Sequence, residues 1–162
     1  MADIIIYSAP IHTGKTSRLK EWLKHHKNVF GFLTPDVNGL RIIYNLTTQQ
    51  SITWQVDATS ENDIVEVGKY IFLSSGFEKA QNNLAEFKHQ KEGVFVIDEI
   101  GKLELKGQGL EPTLSQCIAE FKNRKDKSTL IVIVRDYLLE EVKLRYELQD
   151  AQVVGHDYFD YR

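Results

Sequence analysis

The 162-residue chain has a single cysteine, Cys117, so no disulfide can form within it. Cys117 sits in an apolar helical pattern and reads as a buried structural thiol. There are only three prolines, and no Pro/Gly/Ser-rich stretch interrupts the chain to mark a linker. No apolar run approaches membrane-spanning length. The chain enters Ile4-Ile5-Ile6 with no basic leader, from which a cytoplasmic location and no membrane partner are expected. A surplus of positive charge is also missing, because formal net charge is −3. Nucleic acid is therefore an unpromising partner, and any anion must be held by a local site. The richest basic run, Lys122 through Lys127, reads as a solvated helix end and turn. His25, His26, His89 and His156 have no metal-ligand spacing with one another or with Cys117. No Gly-x-Ser-x-Gly elbow is present, which removes the serine-hydrolase reading.

What is there is an alternation of apolar strands and amphipathic helices. Strands are expected at 3–8, 29–33, 94–97, 129–134 and 153–154. Helices are expected at 16–27, 77–90, 111–124 and 137–148, with a loop over 101–109 and no helix after the last strand. The Val94–Ile97 and Thr129–Val134 runs are apolar throughout, as strands of a parallel sheet covered on both faces are. The pattern predicts an α/β, three-layer fold with a mainly parallel sheet. One domain over 1–162 is expected, carrying a β-rich insert at about 34–58. In that insert Asn38-Gly39 supplies the positive-φ turn of a hairpin and Ile52–Val56 forms one more strand; after it, 61–68 is expected to be irregular and Tyr70–Leu73 a short strand. Trp22 and Trp54 read as core or half-buried residues, with Trp54 the better candidate for stacking on a base.

Two segments carry chemistry. Ala9-Pro10-Ile11-His12-Thr13-Gly14-Lys15-Thr16 lies between the first strand and the first helix. It has the spacing of a phosphate-binding loop, with Ser17 following. Backbone N–H groups at a helix N-terminus bind phosphate oxygens, and the helix dipole favours the anion. Gly14 permits close approach, Lys15 reaches the outer phosphates, and the Thr16 hydroxyl is a ligand for Mg²⁺. Ala9 stands where a first glycine is usual, and His12 either takes up strain, adds a phosphate contact or is simply an exposed loop residue. Val94-Phe95-Val96-Ile97-Asp98-Glu99 is an apolar strand ending in two acids, with Asp98 placed for the metal and Glu99 for general-base attack by water. Arg135 follows the late strand at the sheet edge that faces ligands, where it meets a γ-phosphate or a nearby acid, or pairs with Asp136 or solvent.

The continuation Asp98-Glu99-Ile100-Gly101-Lys102-Leu103-Glu104-Leu105 resembles the signature of a family of small P-loop nucleoside-triphosphatases. Gly31-Phe32-Leu33-Thr34 before a hairpin with Gly39-Leu40-Arg41 is similar to segments of that family. So are Val67-Gly68-Lys69-Tyr70, Phe77-Glu78 and Val134-Arg135-Asp136, and the likeness runs from about residue 3 to residue 155. The family tends to carry a threonine on the late strand, where this chain has the apolar stretch Ile131-Val132-Ile133. The resemblance implies a P-loop fold and Mg²⁺-dependent hydrolysis of ATP, GTP and other NTPs with loose base preference. Lys102 and Glu104 match signature positions, either as a structural ion pair or in catalysis. Two other readings remain at this stage. One is a nucleotide or small-molecule kinase, which needs an acceptor pocket between the 34–56 insert and the 101–109 loop. The other is a nucleotide-dependent binding module with little turnover.

Overall fold

The computed structural model describes residues 2–10, 14–58 and 63–160. Its frame is a parallel sheet built from the most apolar segments of the chain. In chain order these are β1 (Asp3–Ala9), β2 (Val29–Leu33), β9 (Val94–Ile100), β10 (Thr129–Arg135) and β11 (Gln152–Val154). They lie side by side in the order β11-β1-β10-β9-β2. β10 therefore separates β1, which leads to the phosphate-loop motif, from β9, which carries the acids. Side chains alternate along each strand, so each face of the sheet makes its own core. Ile6, Phe95, Ile97, Leu130 and Val132 pack with Leu84 of α2 (Ser74–Ala85), Leu114 of α4 (Thr113–Lys122) and Val142 of α5 (Leu139–Arg145). Ile5, Tyr7, Val96, Ile131 and Ile133 face the other way, onto Leu19 and Trp22 of α1 (Lys15–Leu23) and Phe159 of α6 (Asp157–Asp160). Three layers result, as the binary pattern requires.

The sheet is extended antiparallel by β3 (Asp36–Val37), β4 (Leu40–Asn45) and β5 (Gln50–Thr53). Asn38 and Gly39 both take positive φ, at 56° and 84°, as the expected tight turn demands. The expected strand at 52–56 divides at Trp54. β5 stays on β4, whereas β6 (Gln55–Val56) pairs with β8 (Tyr70–Leu73) in a second sheet of order β6-β8-β7. The stretch expected to be irregular contains β7 (Ile64–Val67), turned onto β8 through Gly68 at φ 61°. Residues 61 and 62 of that stretch lie outside the described residues.

Other boundaries moved for identifiable reasons. α1 stops at Leu23, and the N–H groups of His25 and His26 close its last turn on Trp22 and Leu23. The 101–109 loop holds a short helix, α3 (Lys102–Leu105). A final helix, α6, follows β11; its Phe159 ring lies 4.5 Å from that of Tyr7, and its Asp160 pairs with Arg18 at 2.7 Å. The basic run is the exposed helix end and turn that was expected, with two of its cations also tied to backbone. Lys122 donates to the carbonyls of Tyr146 and Glu147, and Arg124 to those of Phe87 and Gln90. Cys117 is buried, which pushes its thiol up to about 12. No helix among the described residues is long and apolar enough to cross a membrane.

Gly31, φ 105°, lies opposite Val96 with its backbone close to that strand. A Cβ there would come to 2.0 Å from the Val96 carbonyl oxygen. Gly31→Ala therefore combines a clash with left-handed strain, and each costs about 1–3 kcal/mol. Urea unfolding is expected to show a loss of at least about 2 kcal/mol. An unchanged midpoint would mean that β2 and β9 do not approach in this way.

Candidate active site at the carboxyl edge of the sheet

Parallel strands deliver their loops to one edge, where β1, β10, β9 and β2 all end within the same crevice. From β1 the chain passes Ala9 and Pro10 to Gly14, which caps α1 in the left-handed conformation at φ 81°. Ile11, His12 and Thr13 lie outside the described residues, so the readings of His12 are not addressed by the geometry. The Lys15 ammonium donates to the carbonyl oxygens of Ala9 and Pro10, both at 3.1 Å. Burial lowers its pKa, partly offset by the charges of Asp98 and Glu99. Ser17 is exposed on the first turn of α1.

Thr16 points across the crevice and its hydroxyl donates to Asp98 Oδ2 at 3.2 Å. The same carboxylate oxygen accepts the Thr34 backbone N–H at 2.8 Å, at the end of β2. Asp98 is 3% exposed. Burial, and then the neighbouring charge of Glu99, raise its pKa to about 6. Two hard oxygens from Thr16 and Asp98, side by side on different elements, are a donor set suited to Mg²⁺, which keeps most of its own water shell. Among the described residues no group of three or more His, Cys, Asp or Glu is placed to hold a metal.

Adjacent residues of a regular strand point to opposite faces. Asp98 and Glu99 do not, because the strand is not regular there. The expected end of the strand at Ile97 is instead a bulge within β9. Ile97 pairs with Val132 and Ile100 with Val134, so Asp98 and Glu99 share the space opposite Ile133 alone. Glu99 takes φ 60°, a conformation that L-residues seldom adopt. The result is that both carboxylates reach one residue. Thr34 gives its N–H to Asp98 and its hydroxyl to Glu99 Oε2 at 3.3 Å.

Glu99 is gripped by two guanidinium groups. Arg135 at the end of β10 donates to Oε1 at 2.7 Å, and Arg41 of β4 forms an ion pair with Oε2. Arg41 also donates to the Thr34 carbonyl at 3.1 Å. Of the two readings for Arg135, the nearby acid is the one observed, and that acid is Glu99 rather than Asp136. Thr34 and Arg41 had no assigned role in the sequence. The signal for Thr34 was its place directly after an apolar strand. Arg41 comes from the antiparallel extension, and its only signal was its place in the family-like segment Gly39-Leu40-Arg41. The site thus holds three cations, Lys15, Arg41 and Arg135, around two carboxylates. That arrangement can receive a polyanion and put a carboxylate beside its terminal group.

A family model described as NTPase matches residues 4–154. Among curated proteins the chain is similar to nucleoside-triphosphatase THEP1 of Thermotoga sp. (strain RQ2), 27% identical over 140 residues, covering 83% of this chain and 77% of that protein. THEP1 of Thermotoga maritima is 26% identical over 141 residues with the same coverage, 83% and 77%. The fold is similar to the crystal structure of THEP1 from the hyperthermophile Aquifex aeolicus, with TM-score 0.65 and 24% identity over 96% of this chain and 89% of that one. It is also similar to the solution structure of a human cancer-related nucleoside triphosphatase, with TM-score 0.63 and 22% identity over 94% and 88%.

One buried carboxylate stands apart from the crevice chemistry. Glu104 forms no ion pair with Lys102, whose ammonium lies 5.6 Å from the centre of the Tyr137 ring. Instead it accepts the N–H of Gly101 at 2.9 Å and of Leu110 at 3.1 Å, tying the 101–110 segment together. Burial raises its pKa from the ordinary 4.5 to about 7, against the pull of those two N–H groups. A carboxyl whose folded pKa is raised stabilises the fold below its unfolded pKa, and that contribution is lost as pH rises through the folded value. Glu104 therefore makes the protein less stable from about pH 4.5 to 7, in addition to the same trend from Asp98. Glu104→Gln should flatten the fall of unfolding free energy between pH 5 and 7 by about 1 kcal/mol per pH unit. Denaturant titrations at several pH values read this directly; parallel slopes for the two proteins would rule out a buried, titrating Glu104.

Proposed function

The chain belongs to the NTPase family, whose model spans residues 4–154, and from that premise we infer that it hydrolyses nucleoside triphosphates to the diphosphate and inorganic phosphate in a Mg²⁺-dependent reaction with broad base preference. The observation that carries the mechanism is the convergence of Asp98 and Glu99 on Thr34, opposite the N-terminus of α1.

Backbone N–H groups of the loop from Ala9 to Ser17 hold the phosphate chain at the N-terminus of α1. Lys15 exchanges the carbonyls of Ala9 and Pro10 for the outer phosphate oxygens, which offer it full negative charge. Thr16 and Asp98 would hold Mg²⁺, which would neutralise charge on the outer phosphates. Thr34 fixes both carboxylates at once, so the phosphate end and the base keep their relative position. Glu99 then orients the attacking water and takes its proton.

Both carboxylate oxygens of Glu99 are engaged by Arg41 and Arg135 and so are not open to water. The γ-phosphate is the stronger anion, and its arrival draws both guanidinium groups off the carboxylate. The same movement supplies cations to the transferring phosphoryl group and frees the base. Turnover is thereby coupled to occupation of the site by a triphosphate. The nucleobase contributes little to this, since every contact invoked is to phosphate or metal.

Glu99→Gln keeps size and loses the proton acceptor. It is expected to lower kcat about a hundredfold or more while triphosphate affinity is retained. Equal turnover would remove Glu99 from its role. Arg41→Ala is expected to lower kcat about a hundredfold, as loss of one donor to a developing anion does. Normal kcat in that variant would leave Arg41 as a mere structural partner of Glu99. ATP and GTP should give kcat/KM values within about tenfold of each other, or about 1.4 kcal/mol. A hundredfold preference in steady-state phosphate release would reveal dedicated base recognition.

A further inference from the structure

A cavity of about 700 Å³ opens beside the site and is not part of the phosphate cradle. One end is formed by Asp98, Glu99 and Arg135; neither Lys15 nor Thr16 lines it. The other end is an aromatic wall on the second sheet and α2. Trp54 lies 4.6 Å from Phe72 and 5.2 Å from Phe77, centre to centre, and Tyr70 stands half-exposed beside them on β8. Trp54 packs closely on Gly76, where a Cβ would meet the indole at 2.5 Å. Its indole N–H is buried without a hydrogen-bond partner among the described residues. An orphan donor of this kind costs stability unless something else satisfies it. The size falls within the range of small-molecule sites.

We propose that this cavity binds a nucleoside as phosphoryl acceptor, so that the chain transfers the γ-phosphate to a hydroxyl as well as to water. The proposal rests on the triphosphate site described above. The nucleoside part of a bound NTP lies at the opposite end of its phosphate chain from the γ-phosphate, and so points away from Glu99. A molecule in the cavity meets Glu99 from the other side. Five acidic and four basic side chains line the space, which gives no attraction to a second polyanion and suits an uncharged ligand. A flat heterocycle matches the aromatic wall of Trp54, Phe72 and Phe77. A sugar hydroxyl is then directed to the acid end. The hydroxyl oxygen forms a bond to the γ-phosphorus, and the bond from that phosphorus to the β,γ-bridging oxygen breaks. The electron pair leaves with the nucleoside diphosphate, and the hydroxyl proton goes to the Glu99 carboxylate. The products are a nucleoside monophosphate and the NDP.

The test uses the full chain, Mg²⁺ and γ-radiolabelled ATP, with adenosine, guanosine, cytidine, uridine or thymidine added singly and products separated by chromatography. Label is expected in a nucleoside monophosphate for at least one of them, in addition to inorganic phosphate. Trp54→Ala and the surface variant Tyr70→Ala should each reduce this product about tenfold or more, with nucleoside-free phosphate release unchanged. Tyr70→Ala keeps the test decisive if loss of Trp54 damages folding. Label confined to inorganic phosphate with all five nucleosides overturns the proposal and leaves the hydrolase reading standing. So does monophosphate formation that ignores both variants, or a loss of ATP affinity in Tyr70→Ala, which would place the base of the triphosphate in the cavity. Absence of phosphate release without any nucleoside, by contrast, counts against the hydrolase reading itself.

Discussion

The bulge in β9 is the constraint on which the site depends. Two consecutive carboxylates can serve one ligand only if the strand breaks its two-residue alternation, and it does so where Asp98 and Glu99 together oppose Ile133. The cost is a glutamate in the left-handed region. It is offset by what the convergence creates. Thr34 binds both acids, Thr16 binds one, and Arg41 and Arg135 bind the other. Three strands, β2, β4 and β10, and one helix, α1, are thereby tied to a pair of adjacent residues.

The electrostatics follow from that knot. Asp98 is buried close to Glu99, and its affinity for protons rises accordingly. Three cations surround the pair without cancelling any one group completely, so the crevice stays receptive to an incoming anion. Each of these charged groups has a protein partner. Lys15 rests on its own loop carbonyls, Glu99 on two arginines, and Asp98 on Thr16 and Thr34. In the proposed reaction a triphosphate would replace these contacts by stronger ones, and that exchange would assemble the reacting geometry.

Most of the frame was legible in the sequence because its strands are apolar on both faces, and such runs have few alternative fates. β2 was placed to the residue, and the Asn38-Gly39 turn by its positive φ. The failures share a cause. The break at Trp54, the strand Ile64–Val67 and the second sheet depend on which partner each segment meets, and pairing leaves no mark in local periodicity. The phosphate-loop spacing and the acid pair were visible as motifs. That both acids face one way was not, since it needs a bulge that only the register with β10 reveals. Arg41 was hidden for a similar reason, being carried to Glu99 by an antiparallel extension 58 residues away in sequence. Lys102 and Glu104 belonged to the clearest signature, yet Glu104 makes a backbone tie that no residue pattern announces.

The exchange of partners at Glu99 is the centre of the account, and a crystal structure with ADP, Mg²⁺ and aluminium fluoride tests it most directly. The guanidinium groups of Arg41 and Arg135 are expected to leave Glu99 and contact the fluoride ligands, with Lys15 on the phosphate chain. The Glu99 carboxylate is expected to accept a hydrogen bond from the water in line with the aluminium. Both arginines still paired with Glu99, and no water on its carboxylate, would contradict it.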